Sequence, residues 1–315
     1  MLLEVKELKK HFPVKGAPSA PVRAVDGVSF NIEQGKTFGM VGESGCGKST
    51  VARAIIKLCD ITAGNILFEG EDITRLSSTK QKMFRKNVQM VFQDPYASLN
   101  PRMTVRRTLI DPLNIYKVGT PAARRERVRE LLSLVGLDER YARRYPHEFS
   151  GGQRQRIGIA RAIALSPKLV VLDEPVSALD VSIQAQVLNL LKELQEKLGL
   201  TYLFISHDLS VIEYMCDHIG VMYLGHIVES GSREDIFVNH MHPYTKALLS
   251  AIPTLNPKER TEHIILKGEI PSPTNPPAGC HFSTRCEYVQ DICRTQPPPT
   301  KTVSEGHFTR CHLFG

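Results

Sequence analysis

The sequence predicts an α/β domain on a largely parallel sheet, carrying a helical insertion and a small cysteine-bearing appendage. Three observations predict it. Short apolar runs alternate with amphipathic helical patterns. One of these runs feeds a glycine-rich loop that opens a helix. Past Pro253 the composition shifts, with Pro271, Pro273, Pro276, Pro277 and Pro297 to Pro299 interrupting any regular pattern.

Taken in order, the opening stretch Met1 to Lys10 reads as a short strand, without the basic-then-apolar order of a signal peptide. Val28, Phe30 and Ile32 alternate with Ser29, Asn31 and Glu33, the period-2 pattern of a half-buried strand. Thr37 to Val41 is a mostly apolar run suited to a buried strand. Between Arg124 and Gly136, Val128, Leu131, Leu132 and Val135 fall on one helical face, with Gly136 as its stop. Leu169 to Leu172 and Tyr202 to Ile205 are further apolar strands. Between them Ile183, Val187, Leu190, Leu191, Leu194 and Leu198 mark a long amphipathic helix closed by Gly199. The expected layout is a main domain over 1–252, its helical part at about 85–165, and a tail over 253–315.

With 315 residues, 42% apolar and 23% charged, the chain can bury a large core, and general disorder is excluded. No apolar run reaches about 18 residues, so no membrane span is expected, and the chain is expected in the cytoplasm. Its net charge of +7 is concentrated in residues 102–161, which hold 14 Lys/Arg against 6 Asp/Glu. Such a stretch can meet nucleic acid or an anionic membrane leaflet, or can be a solvated helical face.

The loop Gly42-Glu43-Ser44-Gly45-Cys46-Gly47-Lys48-Ser49 has the phosphate-cradling pattern, after a strand and before a helix. Glycines let backbone N–H groups turn inward toward phosphate oxygens, and the positive end of the following helix points at the same anion. Lys48 reaches the β- and γ-phosphates and Ser49 offers a hydroxyl to Mg²⁺. Gly42, Ser44, Gly45, Cys46, Gly47, Lys48, Ser49 and Thr50 are the expected ATP contacts here, Cys46 as a spacer and not a nucleophile. The strand Leu169 to Leu172 ends in Asp173 and Glu174. Asp173 is suited to hold Mg²⁺ through water, and Glu174 to orient and deprotonate an attacking water.

Phe149-Ser150-Gly151-Gly152-Gln153 then resembles the signature motif of ABC ATPases, with Phe in place of the usual Leu at a packing position. Further motifs follow in that family's order. Gln93 resembles the Q-loop glutamine that senses Mg²⁺ and the attacking water, Ser177 to Asp180 the D-loop, His207 the switch histidine, and Phe12 the aromatic that stacks on adenine. A Pro/Gly/Ala-rich insertion, Pro13 to Pro21, is expected between Phe12 and the next strand. The resemblance implies a head-to-tail dimer hydrolysing ATP, with Glu174, His207 and Gln93 catalytic and Ser49, Gln93 and Asp173 at Mg²⁺. Ser150, Gly151, Gly152 and Gln153 of one subunit would close over the γ-phosphate held by the other.

The segments Phe92 to Pro101, Tyr145 to Phe149 and His242 to Leu248 further resemble peptide-importer ATPases, above all the second ATPase of dipeptide and oligopeptide importers. The partners so implied are two membrane permeases, a second homologous ATPase and, indirectly, an external binding protein, at the cytoplasmic face of the inner membrane. Importers of nickel, glutathione or sugar belong to the same subfamily. An ABC ATPase acting on nucleic acid is the rival class; it usually has coiled coils or paired cassettes, which this chain lacks.

Cys280, Cys286, Cys293 and Cys311 are spaced C-x5-C-x6-C-x17-C. A sulfur-only set suits an iron–sulfur cluster or zinc, and unliganded thiols are the third alternative. Tails of this type in peptide-importer ATPases carry a four-iron, four-sulfur cluster, so the resemblance implies [4Fe-4S] there.

Overall fold

A computed structural model describes residues 1–14, 16–252 and 264–314; the side chains of 17–20 lie outside the description, as do residues 253–263, where the expected tail begins. In chain order the elements are β1 (Leu3–Val14), β2 (Ala17–Ile32), β3 (Thr37–Val41), α1 (Lys48–Ile55), β4 (Ala63–Phe68), β5 (Glu71–Asp72), α2 (Ser78–Asn87), β6 (Val88–Val91), α3 (Pro95–Ser98), α4 (Val105–Ile115) and α5 (Pro121–Leu134). They continue with α6 (Gly151–Ala162), β7 (Leu169–Asp173), α7 (Val181–Leu198), β8 (Thr201–Ser206), α8 (Leu209–Met215), β9 (His218–Tyr223), β10 (His226–Ser232), α9 (Arg233–Phe237), α10 (Pro243–Ser250), α11 (Asp291–Thr295), β11 (Thr300–Ser304) and β12 (His307–Arg310).

The chain forms two compact units. The first gathers 1–32, 37–74 and 206–315, and the second 33–36 and 75–205. The first holds the antiparallel sheet β2-β1-β4-β5 and the strand series β11-β12-β10-β9-β3, in which β3 and β9 run parallel. β3 is buried along its whole length, as its apolar run requires. Val28, Phe30 and Ile32 of β2 are buried as the alternation predicts. The stretch Pro13 to Pro21 is no separate insertion: β1 extends to Val14, β2 starts at Ala17, and Phe12 pairs with Val22.

The tail is built into the first unit. β12 pairs antiparallel with β10, matching Glu229 to Thr309 and Ser230 to Phe308. Phe282 is 2% exposed, edge-on to Tyr223 at 5.3 Å and tilted against Tyr244 at 5.4 Å. The tail therefore has apolar burial and strand pairing of its own.

In the second unit β6, β7 and β8 run parallel, Val171 of β7 matching Met90 of β6 and Leu203 of β8. α5 buries Val128, Leu131 and Leu132 and stops before Gly136, whose φ is 68°. α7 is capped by Asp180, whose Oδ1 accepts from the Ile183 N–H at 3.1 Å, and ends at Gly199. It buries Leu188, which lay off the expected face, while Leu198 is exposed. Arg127 of α5 donates from Nη2 to the Ile163 carbonyl at 3.1 Å, so part of the basic stretch is spent on internal carbonyls. Among the described residues no helix is long and apolar enough to cross a membrane.

One buried group makes the first unit acid-sensitive. His242, 1% exposed, caps α10: its Nδ1 accepts from the Tyr244 N–H at 3.0 Å. Burial pushes its pKa from 6.5 down to about 3. Below pH 6.5 the unfolded chain takes up a proton that the folded chain refuses until about pH 3, so stability falls as pH drops through that window. The slope is about 1.4 kcal/mol per pH unit. Comparing melting temperatures from pH 7 to 4, His242→Asn, which keeps a capping acceptor, should show a shallower loss than the parent. Parallel curves would dismiss His242 as the source.

Candidate functional site

The phosphate loop lies in the first unit, between β3 and α1. Gly47 caps α1 with φ of 111°, and a Cβ there would run into the Ala24 carbonyl, so this position demands glycine on two counts. Lys48, 5% exposed, donates from Nζ to the Gly42 carbonyl at 2.7 Å and the Glu43 carbonyl at 3.0 Å. The ammonium thus satisfies carbonyls of its own loop at the start of α1. Cys46 is buried, and that burial raises its thiol pKa against the pull of Lys48. Ser49 and Thr50 follow on α1, both half-buried. His207, exposed, follows β8. Phe12 is 39% exposed on β1, with the Lys10 ammonium 4.8 Å above its ring.

The acidic pair lies in the second unit. β7 is buried throughout and delivers Asp173, 5% exposed, at its last position. Glu174 follows with φ of 47°, a left-handed backbone that a glutamate adopts at a cost of about 1–3 kcal/mol. Hydrogen bonds hold it there. Its N–H donates to the Ile205 carbonyl at 3.0 Å, its carbonyl accepts from the Ser177 hydroxyl at 3.1 Å, and its Oε2 accepts from Gln93 Nε2 at 2.8 Å. The structure therefore brings together Gln93 and Glu174, which lie 81 residues apart. It also gives the carboxylate an amide donor that fixes its orientation.

The signature segment is a helix start of the same unit. The Ser150 Oγ accepts from the Gln153 N–H at 3.4 Å, and Gln153 Oε1 accepts from the Ser150 N–H at 3.1 Å, a reciprocal capping box. Phe149, 5% exposed, packs edge-on to Tyr141 at 5.7 Å, which explains the apolar requirement at that position. Gly152 sits against Ile183 of α7, closely enough that an added Cβ would collide with its methyl group.

Among the described residues no group of three or more His, Cys, Asp or Glu side chains is arranged to hold a metal ion. The expected four-cysteine set is thus present as a neighbourhood of thiols and not as a closed single-ion cage. Burial raises Cys280 and Cys311 to about 11, and the proximity of Cys293 and Cys286 adds to both shifts. Neutral thiols have no charge to draw them onto one point. Backbone N–H groups of Phe282, Tyr288 and Leu313 nonetheless point at the sulfurs of Cys280, Cys286 and Cys311, an arrangement that favours thiolate.

Sequence reasoning does not link Arg285 or Tyr244 to the phosphate loop: it reads Arg285 only as a residue beside the tail cysteines that could offset thiolate charge, and Tyr244 only as part of the segment His242 to Leu248. Arg285 forks onto the Glu43 carboxylate at 2.6 and 3.0 Å, and Tyr244 Oη accepts from the Glu43 N–H at 2.9 Å. Neither residue belongs to a local motif around the loop; an arginine among the tail cysteines and an acidic second position in the loop were the only signals present.

A family profile described as ABC transporter matches residues 25–177, and one described as oligopeptide/dipeptide transporter, C-terminal region, matches 228–293. The chain is 54% identical over 320 residues to the oligopeptide transport ATP-binding protein AppF of Bacillus subtilis, covering 99% of this chain and 97% of that one. It is 52% identical to the dipeptide transport ATP-binding protein DppF of Escherichia coli, covering 98% and 93%. Among solved structures, the dimeric ATP-binding cassette MJ0796 bound to ADP and Pi superposes with a TM-score of 0.66 at 29% identity, over 74% of this chain and 99% of that one.

The packing of Gly152 can be tested by a pair of changes. Gly152→Ala should cost about 1–3 kcal/mol in denaturant unfolding. In an Ile183→Ala background, which removes the opposing methyl, the added cost should largely vanish. An equal cost in both backgrounds would show that Ile183 is not what excludes a side chain.

Proposed function

The chain belongs to the ABC transporter ATP-binding proteins, within the group bearing the oligopeptide/dipeptide transporter C-terminal region, and on that premise we propose that it hydrolyses ATP to drive peptide import through separate membrane permeases. The observation that carries the catalytic reading is the Gln93–Glu174 hydrogen bond at the end of a buried strand. A carboxylate held in a strained backbone and steered by an amide is set up to take a proton from water.

The residues divide the work as follows. Lys48 and the loop N–H groups from Gly42 to Thr50 bind the β- and γ-phosphates and offset the charge that develops on the transferring phosphoryl group. Ser49, Gln93 and Asp173 are hard oxygen donors that fit Mg²⁺; when bound it supplies Lewis-acid stabilisation of the phosphate oxygens. Glu174 removes the proton of the attacking water, and His207 keeps the γ-phosphate and that base in register. In a head-to-tail dimer, Ser150, Gly151, Gly152 and Gln153 would present the start of α6 to the γ-phosphate on the partner subunit. Phe12 is the candidate adenine platform; its partial exposure leaves a face for stacking. The dimer partner is a second, homologous ATPase, and the pair docks peripherally on two permeases at the cytoplasmic face of the membrane, fed by an external binding protein.

We propose further that Cys280, Cys286, Cys293 and Cys311 hold a [4Fe-4S] cluster with a structural role. Support comes from the four-sulfur donor set, the mutual proximity of the thiols and the N–H groups aimed at three of them. Structural zinc sites more often carry cysteines paired two to four residues apart, which this tail lacks.

Glu174→Gln should keep ATP affinity while turnover falls by about 10²–10⁴-fold; undiminished turnover would remove Glu174 as the base. Protein purified without oxygen should be brown, with about four irons per chain. Colourless, zinc-loaded protein would overturn the cluster.

A further inference from the structure

Glu43, the second residue of the phosphate loop, is held at three points. Its carbonyl accepts from Lys48 Nζ at 3.0 Å and its N–H donates to Tyr244 Oη at 2.9 Å. Its carboxylate accepts two parallel bonds, from Arg285 Nη1 at 2.6 Å and Nη2 at 3.0 Å. The first of these contacts lies within the loop. The other two come from α10 and from the cysteine-bearing tail, 201 and 242 residues away.

This ion pair is not an ordinary surface contact. The Arg285 side chain is 7% exposed and that of Glu43 27%. The geometry is the planar fork that makes arginine–carboxylate pairs strong and directional. The clamp is itself backed by a rigid wall. Arg285 N–H donates to the Phe282 carbonyl at 3.0 Å, placing the guanidinium one turn beyond a ring wedged between Tyr223 and Tyr244. Tyr223 and Tyr244 meet edge-on at 4.7 Å, and both are fully buried. A loop residue fastened on both its N–H and its carboxylate to such a wall has little freedom to rotate.

Two consequences for nucleotide binding follow. An unclamped glutamate would add a mobile negative charge beside the loop that must receive a polyphosphate; the arginine cancels that charge. The clamp also fixes the backbone on one side of the glycine nest before any ligand arrives, which lowers the ordering cost of binding. Resting on the ATPase reading above, we infer that Arg285 is a positioning residue for ATP: from the tail it holds Glu43 and keeps the phosphate loop in its phosphate-receiving form.

The test uses the full-length chain and steady-state ATP hydrolysis. Arg285→Ala should raise KM for ATP about tenfold while kcat changes less than about threefold, since the arginine acts on ground-state binding and not on the reacting atoms. Arg285→Lys, which restores charge but not the fork, should recover part of the affinity. In a Glu43→Gln background Arg285→Ala should add little, because the partner charge is already gone. If Arg285→Ala lowers the melting temperature yet leaves KM in place, the clamp serves only to attach the tail and the inference is overturned. It is equally overturned if the KM effect is undiminished in the Glu43→Gln background. A parent chain that neither binds nor hydrolyses ATP would instead sink the function proposed above, so the two failures are distinguishable. Should Arg285→Ala fail to fold, Arg285→Lys and Glu43→Gln decide the matter through the same KM measurements.

Discussion

A polyphosphate leaves water only for a site whose donors already point at it, because every donor that must first turn inward subtracts from the binding energy. On the function proposed above, that requirement falls on the residues from Gly42 to Lys48. β3, buried along its length, fixes where the loop begins, and α1 fixes where it ends. Gly47 permits the backbone path between them, and Lys48 bridges the loop's own carbonyls. The far edge of the loop is fastened through Glu43 to a wall of aromatic side chains. Much of the first unit reads as support for this one short turn.

The second unit meets a different demand, the orientation of a single carboxylate. Glu174 is placed by β7 and turned by a left-handed backbone that hydrogen bonds to Ile205, Ser177 and Gln93 stabilise. The signature segment applies a related principle at the start of α6. There the capping box satisfies the serine and glutamine with each other, and glycine at position 152 lets α7 approach. In both places the residue types that identify the motif are the ones that the local geometry admits.

What was legible in the sequence was whatever leaves a local period or a local motif. β3, β7, β8, α5 and α7 declared themselves through apolar spacing, and the phosphate loop through its glycines. The details that escaped arise from partners far along the chain. Leu188 is buried and Leu198 exposed because neighbouring elements, not the helical period, decide how far along α7 the burial extends. The prolines around residue 20 suggested an interruption, yet the strand pair β1–β2 runs through them, its register set by pairing across the hairpin. The pairing of β12 with β10 and the reach of Arg285 to Glu43 leave no periodic trace at all. A composition shift near Pro253 therefore looks like a boundary, although the segment beyond it belongs to the unit that contains the phosphate loop.

The span between Glu43 and Arg285 also has a meaning in time. Ribosomes add about 5–20 residues per second, so the 242 residues separating the two take on the order of ten to fifty seconds to synthesise. Throughout that interval the glycine turn exists on the nascent chain without its distant clasp. Only once Arg285 has emerged, nine-tenths of the way along these 315 residues, can the clasp close on the turn.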